Sequence, residues 1–115
     1  MTTNKLTTAI RKQNGAGIID IQGEVTGFSE NALMDAYTQA ANGNTKAIIL
    51  NFSQLEYLNS SGIGLIVTLL IRTQRQKQKL MACGLNEHYQ EIFKLTRLNE
   101  AIGIFNTESD ALAAV

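Results

Sequence analysis

The chain contains no proline and no tryptophan, and its 115 residues include one cysteine and one histidine. Because Cys83 is the only thiol, no disulfide can form within the chain, and this favours a reducing compartment. The side chains next to Cys83 offer no base or positive charge that would activate a thiolate, so we expect it to end a buried strand. Without proline, glycine and asparagine must mark the ends of the helices and strands.

An excess of charge of either sign is also missing, since 10 lysine and arginine residues balance 10 aspartate and glutamate residues. A nucleic-acid partner therefore has no bulk electrostatic support, and we expect no direct contact with nucleic acid. The basic residues concentrate at Arg72, Arg75, Lys77 and Lys79. We interpret them as the solvated end of a helix, where cations complement the helix dipole.

Long apolar runs are absent as well. The longest, residues 63–71, is shorter than the roughly 20 residues that cross a bilayer. The first five residues lead into an alternating pattern and not into the apolar segment of a secretory signal. We therefore expect a cytoplasmic protein with no membrane insertion. A content of 44% hydrophobic and 17% charged residues is typical of globular proteins, and the length predicts a single domain over residues 1–115.

Residue patterns that would indicate an enzyme are not found. The sequence offers no acid–base pair, activated nucleophile or cluster of metal ligands. No Ser-His-Asp or metal site can be built on His88, so we expect it on the surface of a helix. Gly62 and Gly64 lack the third glycine of a dinucleotide site and the Gly-Lys-Ser/Thr of a P-loop. We expect no catalysis, no bound metal and no cofactor.

The apolar pattern predicts five strands and four helices. The strands are expected at residues 6–11, 18–23, 46–52, 80–83 and 101–105. The helices are expected from a cap at Ser29 to about Ala41, over residues 60–76, from Asn86 or Glu87 through Ile92, Phe93 and Leu95, and over residues 109–115. A glycine-rich turn at residues 14–17 makes a hairpin of the first two strands. The order β-β-α-β-α-β-α-β-α predicts an α/β fold with a mixed, mostly parallel sheet and packed helices.

The most informative segment is residues 55–64, Leu-Glu-Tyr-Leu-Asn-Ser-Ser-Gly-Ile-Gly, between a predicted strand and a long predicted helix. Either Asn59 or Ser60 can cap that helix. Ser60 and Ser61 then lie where backbone N–H groups have no partner within the helix. Because this helix end carries a positive partial charge, a phosphoryl group on a serine suits it. Capping alone would also explain both serines.

Four segments of the chain, in order, resemble the STAS domain of bacterial anti-sigma factor antagonists. Residues 23–26, Gly-Glu-Val-Thr, resemble the Gly-Glu-hydrophobic-Asp after the second strand of that family. Residues 57–64 resemble its signature, an apolar pair followed by Asp-Ser-Ser/Thr-Gly-Leu-Gly. Residues 48–55 resemble its central strand, and residues 93–98 its late helix and turn. The resemblance implies a STAS fold over essentially the whole chain.

The resemblance also implies a regulator that works by partner switching. In the family, the first serine of the signature, here Ser60, is phosphorylated by an anti-sigma factor that is also a serine kinase, and a phosphatase removes the phosphate. The unphosphorylated protein binds the kinase-like anti-sigma factor and frees sigma, whereas the phosphorylated form does not bind. The implied partner-binding residues are Glu24, Thr26, Phe28, Asn59, Ser60, Ser61, Gly62, Ile63 and Gly64.

Two positions depart from the family pattern: Asn59 and Thr26 each stand where the family usually has aspartate. Asparagine caps a helix about as well as aspartate, so we expect the fold to be kept. The loss of two carboxylates changes what a kinase or phosphatase would recognise. Gly62 and Gly64 are expected to keep the first helical turn open to a partner backbone. Phe28 is expected in the core or half-buried, with an exposed binding anchor as the alternative.

Two other functions fit the same resemblance. STAS domains also serve as scaffold subunits of large stress-signalling assemblies, which would be recognised by their size in solution. Some small STAS proteins are cytosolic accessories of lipid-transport ATPases, which would be recognised by co-purification with an ATPase subunit. A homodimer is a further open alternative.

Overall fold

Five strands and four α-helices form the part of the chain that the computed structural model describes, residues 5–115. The strands are β1 (Thr7–Gln13), β2 (Ala16–Val25), β3 (Ala47–Leu58), β4 (Lys79–Cys83) and β5 (Gly103–Phe105). The α-helices are α1 (Glu30–Ala40), α2 (Ser60–Arg75), α3 (Glu87–Leu95) and α4 (Glu108–Ala113). Single turns of 3-10 helix occupy Gly27–Ser29 and Leu98–Glu100. This order confirms the predicted α/β fold. No helix within these residues is long and apolar enough to cross a membrane.

The strands form one sheet in the order β1-β2-β3-β4-β5. β1 runs antiparallel to β2, and every other neighbouring pair is parallel. The hairpin turn is shorter than predicted: Asn14 and Gly15, with φ of 54° and 80°, make a two-residue turn. Positive φ at both central residues is what a tight hairpin of this kind requires. The sheet is therefore mixed and mostly parallel, as the pattern predicts.

Several strand boundaries differ from the prediction, and β1 and β2 each run about two residues further, to Gln13 and over Ala16–Val25. β3 continues past residue 52 to Leu58, because its second half pairs with β2 alone while its pairing with β4 stops at Asn51. Consequently β2 and β3 extend beyond the rest of the sheet as a two-stranded ribbon. β5 begins at Gly103 and not at residue 101, because the Ala101 amide closes the preceding turn on Leu98 O at 3.1 Å.

Alternate residues of the central strands face two separate apolar layers. Ile19, Ile48 and Leu50 belong to the larger core, which packs against α1, α2 and α3. Ile18 and Ile49 face the other way, where the cover includes α4. Consecutive apolar residues in β3 therefore reflect a strand that is buried on both faces.

Burial of Cys83 at the end of β4 is confirmed, since it is 1% exposed. Burial also raises the pKa of its thiol to about 11, which keeps the thiol protonated at neutral pH. The predicted helix through Ile92, Phe93 and Leu95 is confirmed as α3, although Leu95 itself is 74% exposed. As the last residue of α3, it lies beyond the turn that Phe93 anchors in the core.

A network of polar side chains connects α4, which covers the smaller apolar layer, to β1, β2 and β3. The Arg11 guanidinium donates to Asp20 Oδ1 at 2.7 Å and to Glu108 Oε2 at 3.0 Å. Asn51 Nδ2 donates to Glu108 Oε1 at 3.0 Å. These bonds lower the pKa of the Glu108 carboxyl, chiefly through Arg11. One carboxylate of α4 is thus held by β1 and β3 together.

We expect Arg11→Gln to speed the labelling of Cys83 about fivefold under native conditions. An exposed ion pair is worth up to about 1 kcal/mol, and its loss would make local opening of α4 correspondingly more frequent. Because Cys83 is the only thiol, reaction with an aromatic disulfide reports this opening directly. Arg97→Gln is the matched control, since Arg97 pairs only locally with Glu100 at 3.8 Å. Equal labelling rates for both variants would contradict the role given to Arg11.

Candidate functional site

The carboxyl ends of β2 and β3 place the two predicted site segments side by side. Because the strands are parallel, both leave the sheet at the same edge, where sites in open α/β sheets form. β2 leads into the β2–α1 loop (residues 26–29), and β3 leads through Asn59 into α2. The Asn59 amide donates to Val25 O at 3.3 Å. The loop and the first turn of α2 therefore share one surface.

Asn59, and not Ser60, supplies the side-chain cap of α2. Its Oδ1 accepts a hydrogen bond from the Gly62 amide at 2.8 Å. Ser60 and Ser61 are the first two residues of the helix, and both are exposed. Since the cap comes from Asn59, capping does not account for two serines in succession. The Ser60 hydroxyl lies at a helix N-terminus, where backbone N–H groups have no partner in the helix.

We expect Asn59→Ala to lower the free energy of unfolding by about 1 kcal/mol, the usual cost of losing an N-cap. Asn59→Asp should keep the cap and most of the stability. Urea unfolding followed by circular dichroism measures both effects. Asn44→Ala, in an exposed turn, is the control for the loss of an asparagine. If Asn59→Ala were no less stable than this control, the capping role would be wrong.

Gly62 lies at the closest approach between α2 and β2. A Cβ added to Gly62 would stand 2.2 Å from Val25 O and 2.9 Å from Leu58 Cδ1. Gly62 is buried, so the expectation that it leaves room for a partner backbone is wrong. Its missing side chain makes room for the protein's own strand. Gly64 is exposed and a Cβ there would meet nothing within 4 Å, so its contact with a partner stays a prediction.

Reciprocal side-chain bonds close the β2–α1 loop into a rigid turn. Thr26 Oγ1 accepts from the Phe28 amide at 3.2 Å, and Ser29 Oγ accepts from the Thr26 amide at 2.9 Å. Ser29 Oγ in turn donates to Glu24 O at 3.2 Å. Ser29 precedes α1 as predicted, but its side chain makes no capping bond to that helix. Thr26, which replaces the family's aspartate, therefore has a structural use in this turn.

Phe28 projects from this turn into solvent. The expectation of a core or half-buried ring is wrong, because the residue is 102% exposed. Exposure agrees with the alternative, a binding anchor. Beside the ring lies a groove of about 510 Å³ that Leu6, Glu24 and Ala32 also line. Packing of Gly27 against Ser61, where an added Cβ would lie 3.3 Å from Ser61 Cβ, keeps this loop next to the serines.

Tyr57 is a surface residue that sequence reasoning overlooked. It is 47% exposed and pairs with Glu24 across β2 and β3, so it lies on the ribbon leading into the serines. Tyrosine is common in strands, and nothing in the sequence distinguishes it from a core residue. Leu58, the next residue, is anchored to the core, because its backbone amide donates to the buried Tyr89 hydroxyl at 3.1 Å. Neighbouring His88 is exposed, as predicted.

The structure thus brings the predicted site residues to one edge with different exposure. Phe28, Ser60, Ser61 and Gly64 are exposed, Glu24, Thr26, Asn59 and Ile63 are partly exposed, and Gly62 is buried. Within residues 5–115, no group of three or more His, Cys, Asp or Glu residues could hold a metal ion. The site offers hydroxyl groups, helix amides and an aromatic ring.

Comparison with protein families accounts for this arrangement. The family model described as the STAS domain matches residues 7–111, nearly the whole chain. This chain belongs to the STAS domain family. The matched range includes the β2–α1 loop and the signature (residues 57–64), so the site described above lies inside the STAS domain.

Three proteins of known name are similar to this chain over nearly their whole lengths. The anti-sigma-F factor antagonist RsfB of Mycobacterium tuberculosis is 23% identical over 112 residues, which is 97% of this chain and 91% of that protein. The crystal structure of an anti-sigma factor antagonist from Mycobacterium paratuberculosis has a TM-score of 0.82 at 21% identity, over 96% of this chain and 94% of that one. The Bacillus cell fate determinant SpoIIAA in its phosphorylated form has a TM-score of 0.70 at 18% identity, over 94% and 98%. At these identities the structural likeness establishes the fold.

The electrostatics of this STAS domain single out α2. Residues 57–64 carry no charged side chain, and the first turn of α2 has no acidic residue. The first turns of the other α-helices in residues 5–115 contain Glu30, Glu87 and Glu108. An anion near a helix N-terminus is typically stabilised by about 0.3–1 kcal/mol. The first turn of α2 has no acidic side chain that already makes this interaction with the helix end.

Proposed function

We propose that this STAS domain is an anti-sigma factor antagonist controlled by phosphorylation of Ser60. The observation that carries the proposal is the position of Ser60. It is exposed and is the first residue of α2, and the helix cap is provided by the neighbouring Asn59. The names of the relatives support it, since RsfB is an anti-sigma-F factor antagonist and SpoIIAA has been solved in a phosphorylated form. Sigma and anti-sigma factors act in the cytoplasm, so this is where we place the protein.

The proposed partner is an anti-sigma factor that is also a serine kinase. The unphosphorylated surface offers the Ser60 hydroxyl, the Phe28 ring and the partly exposed Ile63 together. A fully exposed aromatic ring can fill a partner pocket and contribute a large share of the binding energy. Glu24, Thr26, Asn59, Ser61 and Gly64 complete this surface.

Phosphorylation would switch binding off without rearranging the fold. In the kinase reaction, Ser60 Oγ forms a bond to the γ-phosphorus of ATP, ADP leaves, and the serine proton passes to the kinase. The phosphate adds about 1.5 to 2 negative charges at a helix end that accommodates an anion. Inside an interface shaped for a hydroxyl, the same group adds bulk and unpaired charge. A phosphatase restores the hydroxyl by transferring the phosphoryl group to water.

In this scheme the chain is a substrate and a binding protein, with no catalytic group, metal or cofactor of its own. Asn59 places a neutral amide where the family usually has a carboxylate. A phosphoserine at position 60 is therefore not repelled by a neighbouring charge, whereas a kinase must recognise the serine without that carboxylate.

The test is intact-mass analysis of the protein isolated from its native cells, followed by fragment mapping. We expect one phosphate, located on Ser60, whose abundance changes with growth and stress. Ser60→Ala should carry none, and Ser61→Ala should still be modified at Ser60. A protein that stays unmodified under all sampled conditions would overturn the phosphorylation and leave a constitutive binder.

A further inference from the structure

A second groove lies at the opposite end of α2 from Ser60. The last turns of α1 and α2 border an open groove of about 410 Å³, a volume within the range of small-molecule sites. Because Arg72 and Arg75 follow Ser60 by three to four turns of α2, the groove is separated from Ser60 by roughly 18–22 Å of helix. It is therefore separate from the surface assigned to the anti-sigma factor.

The floor of this groove is fixed by hydrogen bonds. The buried Tyr37 hydroxyl donates to Gln78 Oε1 at 2.9 Å, and Gln78 Nε2 donates to Thr45 O at 3.1 Å. The Gln78 backbone amide donates to Thr73 O at 2.8 Å. Both side chains are thus held in place before any ligand arrives, which reduces the ordering cost of binding.

The walls of the groove carry positive charge and no acid. Arg72 and Arg75 are the charged residues among its lining, and the others are neutral. Within residues 5–115, neither guanidinium takes part in an ion pair. Arg72 also influences Tyr37 in the groove floor. Burial raises the pKa of the Tyr37 hydroxyl, and the positive charge of Arg72 partly opposes this effect.

Arg72 and Arg75 are exposed in the last turn of α2, as the sequence predicts, and two contacts of neighbouring lysines define their surroundings. Lys79, which the sequence groups with these arginines, instead donates to Ala114 O at 3.1 Å on the α4 side. Lys12 donates to the backbone oxygen of Asn42, a residue of the groove lining, and so brings a third cation to the rim. Three cations therefore lie on or beside this groove, where they also offset the negative partial charge of the two helix ends.

We propose that this groove binds a small organic phosphate, with Arg72 and Arg75 as the phosphate ligands. Guanidinium groups pair with phosphate in a two-pronged geometry that lysine does not provide. The neutral polar side chains of the lining, including Thr38 and Gln76, suit the hydroxyl or amide groups of the rest of such a ligand. The phosphate site is independent of Ser60 and of the proposed antagonist function.

The test is a titration of ¹⁵N-labelled protein with pyrophosphate and with ADP at constant ionic strength. We expect saturable shifts of the backbone amides of residues 37–42 and 72–78, with a dissociation constant below about 1 mM, or about −4 kcal/mol. The Arg72→Gln/Arg75→Gln double variant should weaken binding at least tenfold. Arg97→Gln, which removes an exposed arginine elsewhere, should not change it.

Four outcomes would overturn the phosphate site. They are shifts that do not saturate, shifts confined to residues 60–64, equal weakening by Arg97→Gln, and binding of a phosphoserine peptide without binding of ADP or pyrophosphate. Amide spectra of the unliganded variants establish that they are folded. Arg72→Lys, which keeps the charge but loses the planar fork, should bind more weakly than wild type and more tightly than the double variant.

Discussion

Gly62→Ala is expected to lower the free energy of unfolding by about 2–3 kcal/mol, despite the higher helix propensity of alanine. The new Cβ would lie 2.2 Å from Val25 O, so α2 must move away from β2. Forcing atoms into a packed interior typically costs about 1–3 kcal/mol, and the closest atom here is backbone, which cannot swing aside. Chemical denaturation of the purified variant measures the loss.

Gly64→Ala is the matched control for this substitution. It lies in the same helix, and its new Cβ would meet nothing within 4 Å. Alanine should therefore stabilise the protein by up to about 1 kcal/mol, the propensity difference in a helix interior. If the two variants changed stability by the same amount and in the same direction, the close approach of α2 and β2 would not be the reason.

Ser60→Glu is expected to weaken binding to the kinase-like anti-sigma factor about 100-fold, while Ser60→Ala keeps most of the affinity. An unpaired charge left in an interface costs about 2–5 kcal/mol. The helix end tolerates the carboxylate, so the thermal midpoint should change little. Calorimetric titration with the purified anti-sigma factor measures the affinities, and the protein phosphorylated on Ser60 should behave like Ser60→Glu.

Ser109→Glu supplies the charge control, because Ser109 is exposed on α4, away from the serines. It should bind like wild type if the effect at Ser60 is local. Equal weakening by both variants would show that the net charge of the protein matters and not its position. Tight binding by Ser60→Glu and by the phosphorylated protein would rule out an inhibitory phosphate.

The sequence predicts the element order well because the strong signals are local. The consecutive apolar residues of β3 and the alternation of strands with amphipathic helices depend on periodicity alone. The continuation of β3 to Leu58 could not be foreseen in the same way. Residues 53–57 are polar or partly exposed, and their strand conformation depends on pairing with β2, a contact distant in sequence.

At the site, the sequence identifies the serines but not how their surroundings are packed. Asn59 followed by a helix is a readable cap signal. The burial of Gly62 depends on where Val25 O lies, which is decided by the sheet. The exposure of Phe28 follows from the reciprocal bonds of Thr26 and Ser29, and a large aromatic residue read alone suggests the core.

The direct attachment of α2 to β2, through Asn59 and Gly62, bears on how related pathways can coexist in one cell. Because α2 packs directly on β2 at this point, the proposed phosphate on Ser60 would act on the neighbouring surface. Pathways with several such domains could then diverge by exchanging only residues like Phe28 and Tyr57, which contribute little to the interior. Keeping the partners of two such domains separate would then require few surface substitutions and no change in the fold.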